Sequence, residues 1–339
     1  MDNNLAIEKV EKPSRVEYID ILKGIGIILM IMGHIGFSGI FDFYIHAFNM
    51  PLFFFVSGYL YKTKTEKKYK DIVLGKMKSL LIPYLFFGIL HYFIYLIMNK
   101  GSNFLDPLYH LFFMNNEGLP IAGALWFLTA IFFTTIIYDL LKRKVKNKYV
   151  FAALVVIIAL TGCLLKFQLP YSINAGMVGL GIFFLGNCLA ENKDKLKMLI
   201  TGKLWLIMIY LVLNGLIFVN GYTNMRTGEY SIIPLFWINL LIGTLTYWNI
   251  SIWIQNHSKY YLIEKLSMLL RYIGENSIVF LALNQLVVMA MAAVINFLSI
   301  ENVFVLALLK LVDLVGSLII LCFICKLMLR TKLKRVIGK

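Results

Sequence analysis

The chain contains ten apolar runs, each long enough to cross the hydrocarbon core of a membrane, which takes roughly 20 helical residues. The runs lie near residues 21–40, 43–61, 80–98, 121–141, 149–166, 173–190, 203–220, 231–252, 272–298 and 302–329. With 60% hydrophobic and 15% charged residues, the composition excludes a soluble enzyme, a disordered protein and a secreted disulfide scaffold. We predict an all-α polytopic membrane helix bundle of about ten transmembrane helices.

The net charge of +15 is concentrated in alternate connecting segments. Of the 33 basic residues, 29 fall at one face of the predicted bundle, in the two terminal segments and every second loop. Lys and Arg are retained on the cytoplasmic side. The pattern predicts cytoplasmic termini and a multi-pass protein of the plasma membrane, and it argues against nucleic acid as the partner. The exceptions are Lys100, Lys166, Arg226 and Lys310.

The chain is predicted to form one integral domain. Residues 1–17 form a cytoplasmic tail, residues 18–330 the transmembrane domain and residues 331–339 a basic cytoplasmic tail. The first segment is too acidic for a signal peptide and lacks a cleavage pattern. The four cysteines lie in predicted spans without the other ligands of a metal site, so no metal is expected. The external segment 99–120 contains an aromatic run typical of a membrane interface.

Ionisable residues inside membrane spans are costly and therefore indicate functional positions. Asp20, Lys23 and His34 share one stripe of the first span, and Lys23 and His34 lie roughly 16 Å apart along the axis. His34 suits general-base catalysis because a neutral imidazole accepts a proton near pH 7. Lys23 at the cytoplasmic mouth suits a phosphate-bearing substrate. The alternatives are a hydrogen-bonded core histidine and a snorkelling lysine.

The second span repeats this spacing with His46 and Ser57. Pro51 between them opens or kinks the helix. No nucleophile elbow surrounds Ser57, so Ser57 and Gly58 are interpreted as a close helix contact.

Four stretches in order, YIDILKGIGIILMIMGH (18–34), MPLFFFVSGYL (50–60), KMKSLLIPYLFF (76–87) and ALWFLTAIFF (124–133), resemble the acyltransferase 3 family. The later stretch IGENSIVFLALNQ (273–285) resembles the late helix of that family. The resemblance implies a ten-helix membrane protein of the fucose 4-O-acetylase-like type that O-acylates sugars of cell-surface polysaccharides.

The family motifs assign roles residue by residue. His34 matches the essential histidine, and Lys23 the basic residue that precedes it, with Lys in place of the commoner Arg. The other matching or supporting positions are Asp20, His46, Asn49, Phe53, Ser57, Gly58, Lys76, Lys78 and Trp126. Three positions depart from the family pattern. Asn49 and Asn284 occupy positions where some or many members carry His, and Ser79 occupies a position where another basic residue is frequent.

The resemblance implies transfer of acetyl from acetyl-CoA to a sugar hydroxyl of an exopolysaccharide or other cell-envelope glycan. The expected partners are acyl-CoA as donor substrate, a glycan or lipid-linked saccharide as acceptor, and membrane lipids; no bound cofactor is expected. Anionic CoA is expected to contact Lys23, Lys76 and Lys78. His34 is expected to deprotonate the acceptor, and a transient acyl-histidine is the competing mechanism. Asn49, Trp126 and backbone amides near Pro51 are candidate oxyanion donors.

Two alternatives stay open from the sequence. A transporter or flippase could use an intramembrane ion pair between Lys310 and Asp313, three residues apart. An O-succinyltransferase would need an extra buried cation for the second carboxylate, and Arg226 is available for that role.

Overall fold

The computed structural model describes residues 16–63, 66–100, 103–297 and 302–338 and is almost entirely helical. Most of the N-terminal tail predicted over residues 1–17 lies outside this range. The helices are α1 (Glu17–Ile35), α2 (Gly39–His46), α3 (Asn49–Tyr59), α4 (Tyr69–Lys76), α5 (Ile82–Met98), α6 (Leu105–Phe112), α7 (Trp126–Lys144), α8 (Lys148–Leu164), α9 (Ile173–Glu191), α10 (Leu204–Leu213), α11 (Leu216–Asn220), α12 (Ile233–Asn256), α13 (Tyr261–Glu275), α14 (Ser277–Asn296) and α15 (Val303–Arg330).

The predicted all-α membrane bundle is confirmed. Eight helical segments of the described residues are long and apolar enough to cross a membrane. The remaining two predicted spans correspond to the shorter apolar stretches Lys148–Leu164 and Leu204–Asn220. Large apolar side chains such as Phe304 and Ile97 are exposed on the sides of the bundle. A bilayer is the environment that covers such a surface.

Several helices differ from the predicted spans, for local physical reasons. Gly36 adopts φ +75° and ends α1, because its N–H bonds back to Met32 and Gly33. The second span is divided between α2 and α3, and Pro51 lies in the first turn of α3, where its missing N–H has no helical partner to lose. The third span begins earlier than expected, because α4 continues through a π-helical turn into α5.

Glycines allow two pairs of helices to approach closely. A Cβ at Gly24 would lie 2.1 Å from the carbonyl oxygen of Leu270, and one at Gly274 1.9 Å from that of Asp20, so α1 packs backbone to backbone on α13. At Gly58 the corresponding distance to the carbonyl oxygen of Phe183 is 1.9 Å, and α3 packs in the same way on α9. These contacts fix α1 and α3 within the bundle.

A short hairpin connects α11 to α12 at the face opposite the lysine-rich loops. Its strands β1 (Thr223–Asn224) and β2 (Glu229–Tyr230) pair antiparallel. Ser231 closes the base by donating to the carbonyl of Tyr222 at 2.7 Å, and the backbone N–H of Ile232 donates to Oδ1 of Asn220 at 3.1 Å. The hairpin is therefore held at a defined position over this end of the bundle, which we call the outer end.

The expectation of an ion pair between Lys310 and Asp313 is wrong. The ammonium group of Lys310 donates instead to the carbonyl oxygens of Gly36 at 2.6 Å and Phe37 at 3.4 Å, at the C-terminal end of α1. Asp313 accepts a hydrogen bond from Ser317 at 2.9 Å. Free carbonyls at a helix C-terminus attract a cation, and they compete here with the carboxylate one turn away.

Candidate active site

A cavity of about 170 Å³ opens at the outer end of α1, and we call it the outer cavity. It brings together residues of α1, α2, α3, the start of α7 and the hairpin. Its lining consists of Met30, Gly33, His34, Asp42, Ile45, His46, Asn49, Met50, Ala124, Trp126, Asn224, Met225 and Arg226. Four sequence-predicted site residues, His34, His46, Asn49 and Trp126, thus meet in one place.

His34 lies in the last turn of α1 and faces the outer cavity. Gly33 beside it allows α2 to approach, because a Cβ there would lie 2.5 Å from the side chain of Ile45. Among the residues that the structure describes, none forms a hydrogen bond with the imidazole of His34. Both ring nitrogens are therefore accessible to a substrate, and in a neutral ring the unprotonated one can accept a proton.

His46 is held by its own helix. Its Nδ1 lies 2.8 Å from the carbonyl oxygen of Asp42 and 3.3 Å from the carboxylate Oδ1 of the same residue. A carbonyl can only accept, so the neutral ring carries its proton on Nδ1. The unprotonated Nε2 is left as an acceptor, which gives His46 a fixed tautomer inside the cavity.

Asn49 and Trp126 lie at the first turns of α3 and α7, and both are nearly buried, at 4% and 3% exposure. Oδ1 of Asn49 faces Gly26 of α1 and has no hydrogen-bond partner among the described residues. The start of α7 is held by Gln285 of α14, which accepts from the backbone N–H of Ala124 at 3.3 Å.

Sequence reasoning assigned Arg226 only to one alternative, but the structure places it in the outer cavity. The side-chain Nε of Arg226 donates to the backbone carbonyl of Asn116. The backbone N–H of Arg226 donates to Oδ1 of Asn224 at 3.0 Å. Burial lowers the pKa of Arg226, and the charge of Glu117 opposes this shift. The sequence could have indicated this role, because Arg226 is the only arginine in a predicted outward loop.

A second cavity, of about 490 Å³, lies at the opposite end of α3, and we call it the inner cavity. Its lining consists of Ser57, Leu60, Tyr61, Lys62, Lys67, Asp71, Ile72, Gly75, Lys76, Ser79, Thr135, Asp139 and Phe183. Asp139 is neutralised by Arg143 at 2.6 Å and accepts from Tyr61 at 2.7 Å. Three lysines against Asp71 therefore give this cavity, at the lysine-rich end of the bundle, a positive mouth.

The other predicted residues are placed apart from these two linings. Lys23 pairs with Asp20 at 2.6 Å near the N-terminal end of α1, and Lys78 is exposed beside the inner cavity. Phe53 packs edge to face on Phe127, between the two cavities. From Asn49 to Ser57 the axial rise of α3 is about 12 Å, which separates the two ends.

Bundle and cavities define an integral membrane protein with a histidine site at one face and a basic pocket at the other. A family model described as an acyltransferase domain, Acyl_transf_3, matches residues 16–327. The chain therefore belongs to the acyltransferase 3 family, as the sequence motifs predicted, and is a multi-pass membrane acyltransferase. No curated protein and no solved structure matches the chain.

Proposed function

We propose that this protein transfers an acetyl group from acetyl-CoA to a sugar hydroxyl of an exopolysaccharide or other cell-envelope glycan at the plasma membrane. The observation that supports this proposal most directly is the position of the two cavities. His34 lies in the outer cavity, while Lys62, Lys67 and Lys76 line the inner cavity, where the phosphates of a cytoplasmic donor can bind.

In the proposed reaction, the donor binds at the inner cavity and extends its thioester past Phe53 to the outer cavity. His34 accepts the proton of the sugar hydroxyl as the hydroxyl oxygen attacks the thioester carbonyl carbon. The tetrahedral intermediate then loses the CoA thiolate, which takes the proton back from His34. General-base assistance of this kind contributes roughly 10² to 10⁴-fold. In the alternative mechanism, an acyl-histidine carries the group between donor and acceptor.

The function is tested with purified protein in liposomes, supplied with radiolabelled acetyl-CoA and with glycan from the native envelope. We expect label in the glycan and stoichiometric release of CoA. Transport of the glycan without consumption of CoA would instead identify a carrier. The ion pair that a carrier was expected to use for coupling does not form between Lys310 and Asp313, because the two side chains have separate partners.

Lys76 is expected to contribute to donor binding more than its neighbour Lys78. Lys76 lines the inner cavity and is half-buried, whereas Lys78 is exposed and does not line it. Lys76→Gln should raise the KM for acetyl-CoA roughly fivefold, because it removes one charge from the site that receives the phosphates. Lys78→Gln is the matched control and should leave this KM within a factor of about two. Initial rates against acetyl-CoA concentration measure both, and equal effects would contradict the placement of the donor.

His46 is expected to assist His34 through its fixed tautomer. His46→Gln removes the Nε2 acceptor and should lower kcat roughly tenfold, with KM for acetyl-CoA unchanged. His257→Gln is the matched control, since His257 makes the same bond to a carbonyl one turn earlier, Trp253, at 2.8 Å, but lines neither cavity. A normal kcat for His46→Gln would exclude His46 from the mechanism.

A further inference from the structure

The guanidinium group of Arg226 is only partly used by the protein. Its Nε holds the hairpin to the loop before α7 by donating to the carbonyl of Asn116. Nη1 lies close to the backbone of Gly123, where an added Cβ would come within 2.6 Å. Within the described ranges, neither Nη1 nor Nη2 has a hydrogen-bond or ion-pair partner. Up to four N–H donors of a charged, half-buried group are thus available at the cavity.

The outer cavity does not supply the missing negative charge. Asp42 is its one acidic lining residue, and that carboxylate lies 3.3 Å from Nδ1 of His46. Glu117 acts on Arg226 at longer range and is exposed. A half-buried charge without a paired partner is costly, and a bound anion would offset that cost.

Two further features make the same cavity favourable for an anion. The first turns of α3 and α7 both contribute lining residues, and a helix N-terminus carries a partial positive charge. Asn49 at the start of α3 is nearly buried and makes no hydrogen bond within the described part of the chain. Its Nδ2 group is therefore an uncommitted donor that an anion can use, whereas the unpaired Oδ1 can only accept and does not contribute to anion binding.

We propose that the substrate in the outer cavity carries a carboxylate, bound by the terminal nitrogens of Arg226 and the amide of Asn49. The planar guanidinium fork matches a carboxylate with two parallel hydrogen bonds, which an ammonium group cannot reproduce. Two sources supply this chemistry: an acidic sugar as the acceptor, or a dicarboxylic acyl group on the donor. The inference rests on the acyl-transfer reaction of the proposed function and specifies the substrate class; a dicarboxylic acyl group would replace acetyl as the group transferred.

Binding to the full-length protein in detergent tests the inference with two matched pairs of probes. Methyl glucuronide and methyl glucoside differ in a carboxylate on the sugar, whereas succinyl-CoA and acetyl-CoA differ in a carboxylate on the acyl group. We expect the acidic member of one pair to bind about tenfold tighter than its neutral counterpart. The pair that shows the preference identifies the source of the carboxylate. Equal affinities within both pairs would overturn the inference.

Variants separate recognition from folding. Arg226→Gln should abolish the preference for the acidic probe, and Arg226→Lys should retain only part of it. Lys166→Gln, which removes another exposed outward cation away from the cavity, should leave the preference unchanged. A preference that survives Arg226→Gln contradicts the assignment. Acetyl-CoA binding at the inner cavity checks that each variant is folded.

The same experiment distinguishes failure of the inference from failure of the proposed function. Acetyl transfer to native glycan with no preference for either acidic probe leaves the acyltransferase reaction intact and refutes the carboxylate site. A preference for an acidic probe without transfer of any acyl group refutes the reaction and retains the site.

Discussion

We expect His34→Ala to abolish acyl transfer, with a loss of at least about 10²-fold in kcat. His34 is placed in the last turn of α1, faces the outer cavity and has no hydrogen-bond partner among the described residues. Removal of the imidazole eliminates the base in the direct mechanism and the acyl carrier in the covalent one. Incorporation of labelled acetyl into glycan is the measurement.

Two controls give this result its meaning. His34→Gln keeps a polar side chain of similar size without a base at neutral pH, so it should be as inactive as His34→Ala. His257→Ala removes a histidine that lines neither cavity and should retain activity. All three variants should insert at the normal level, which membrane fractionation verifies. An active His34→Ala protein would exclude His34 as the base.

Gly58→Ala is expected to lower the stability of the protein strongly. The added Cβ would lie 1.9 Å from the carbonyl oxygen of Phe183 and 2.6 Å from its carbonyl carbon, and a backbone cannot yield as a flexible side chain can. The helices α3 and α9 must separate, which costs about 3 kcal/mol or more. We expect Tm in detergent to fall by roughly 6–10 °C.

Gly75→Ala is the matched control for this substitution. Gly75 also lies within a helix, but an added Cβ there meets nothing within 4 Å. Its Tm should be unchanged or slightly higher, because alanine favours the helix over glycine by about 1 kcal/mol or less. Since α3 carries Asn49 at one end and Ser57 at the other, Gly58→Ala should also weaken ligand binding at both cavities. Equal Tm values for the two variants would show that the close contact is unimportant.

The membrane architecture could be predicted because it depends on local composition. Twenty apolar residues form a helix in a bilayer whatever their neighbours are, and lysines in the loops fix the orientation. Periodicity within one helix likewise predicted that Lys23 and His34 share a face, roughly 16 Å apart along the axis. The helix ends were less predictable, since they depend on single residues such as Gly36 and on the break between α2 and α3.

The composition of the outer cavity could not be derived from the sequence, because it depends on contacts between distant segments. Arg226 reaches the loop before α7 through Asn116, which is 110 positions earlier in the chain. The interaction between Lys310 and the end of α1 joins residues 274 positions apart. Local spacing suggested Asp313 as the partner of Lys310, but helix packing brought the carbonyls of Gly36 and Phe37 closer.

The hairpin between α11 and α12 contributes Asn224, Met225 and Arg226 to the cavity, while its base is fastened independently by Ser231 and Asn220. The histidines belong to another part of the chain, α1 and α2. The hairpin can therefore vary separately from the helices that carry the histidines, provided that the bond from Arg226 to Asn116 is kept or replaced. Grafting a different hairpin between the same two helices should alter which substrates are accepted while the proton-transfer machinery stays intact, which offers a compact route for the divergence and for the engineering of this enzyme.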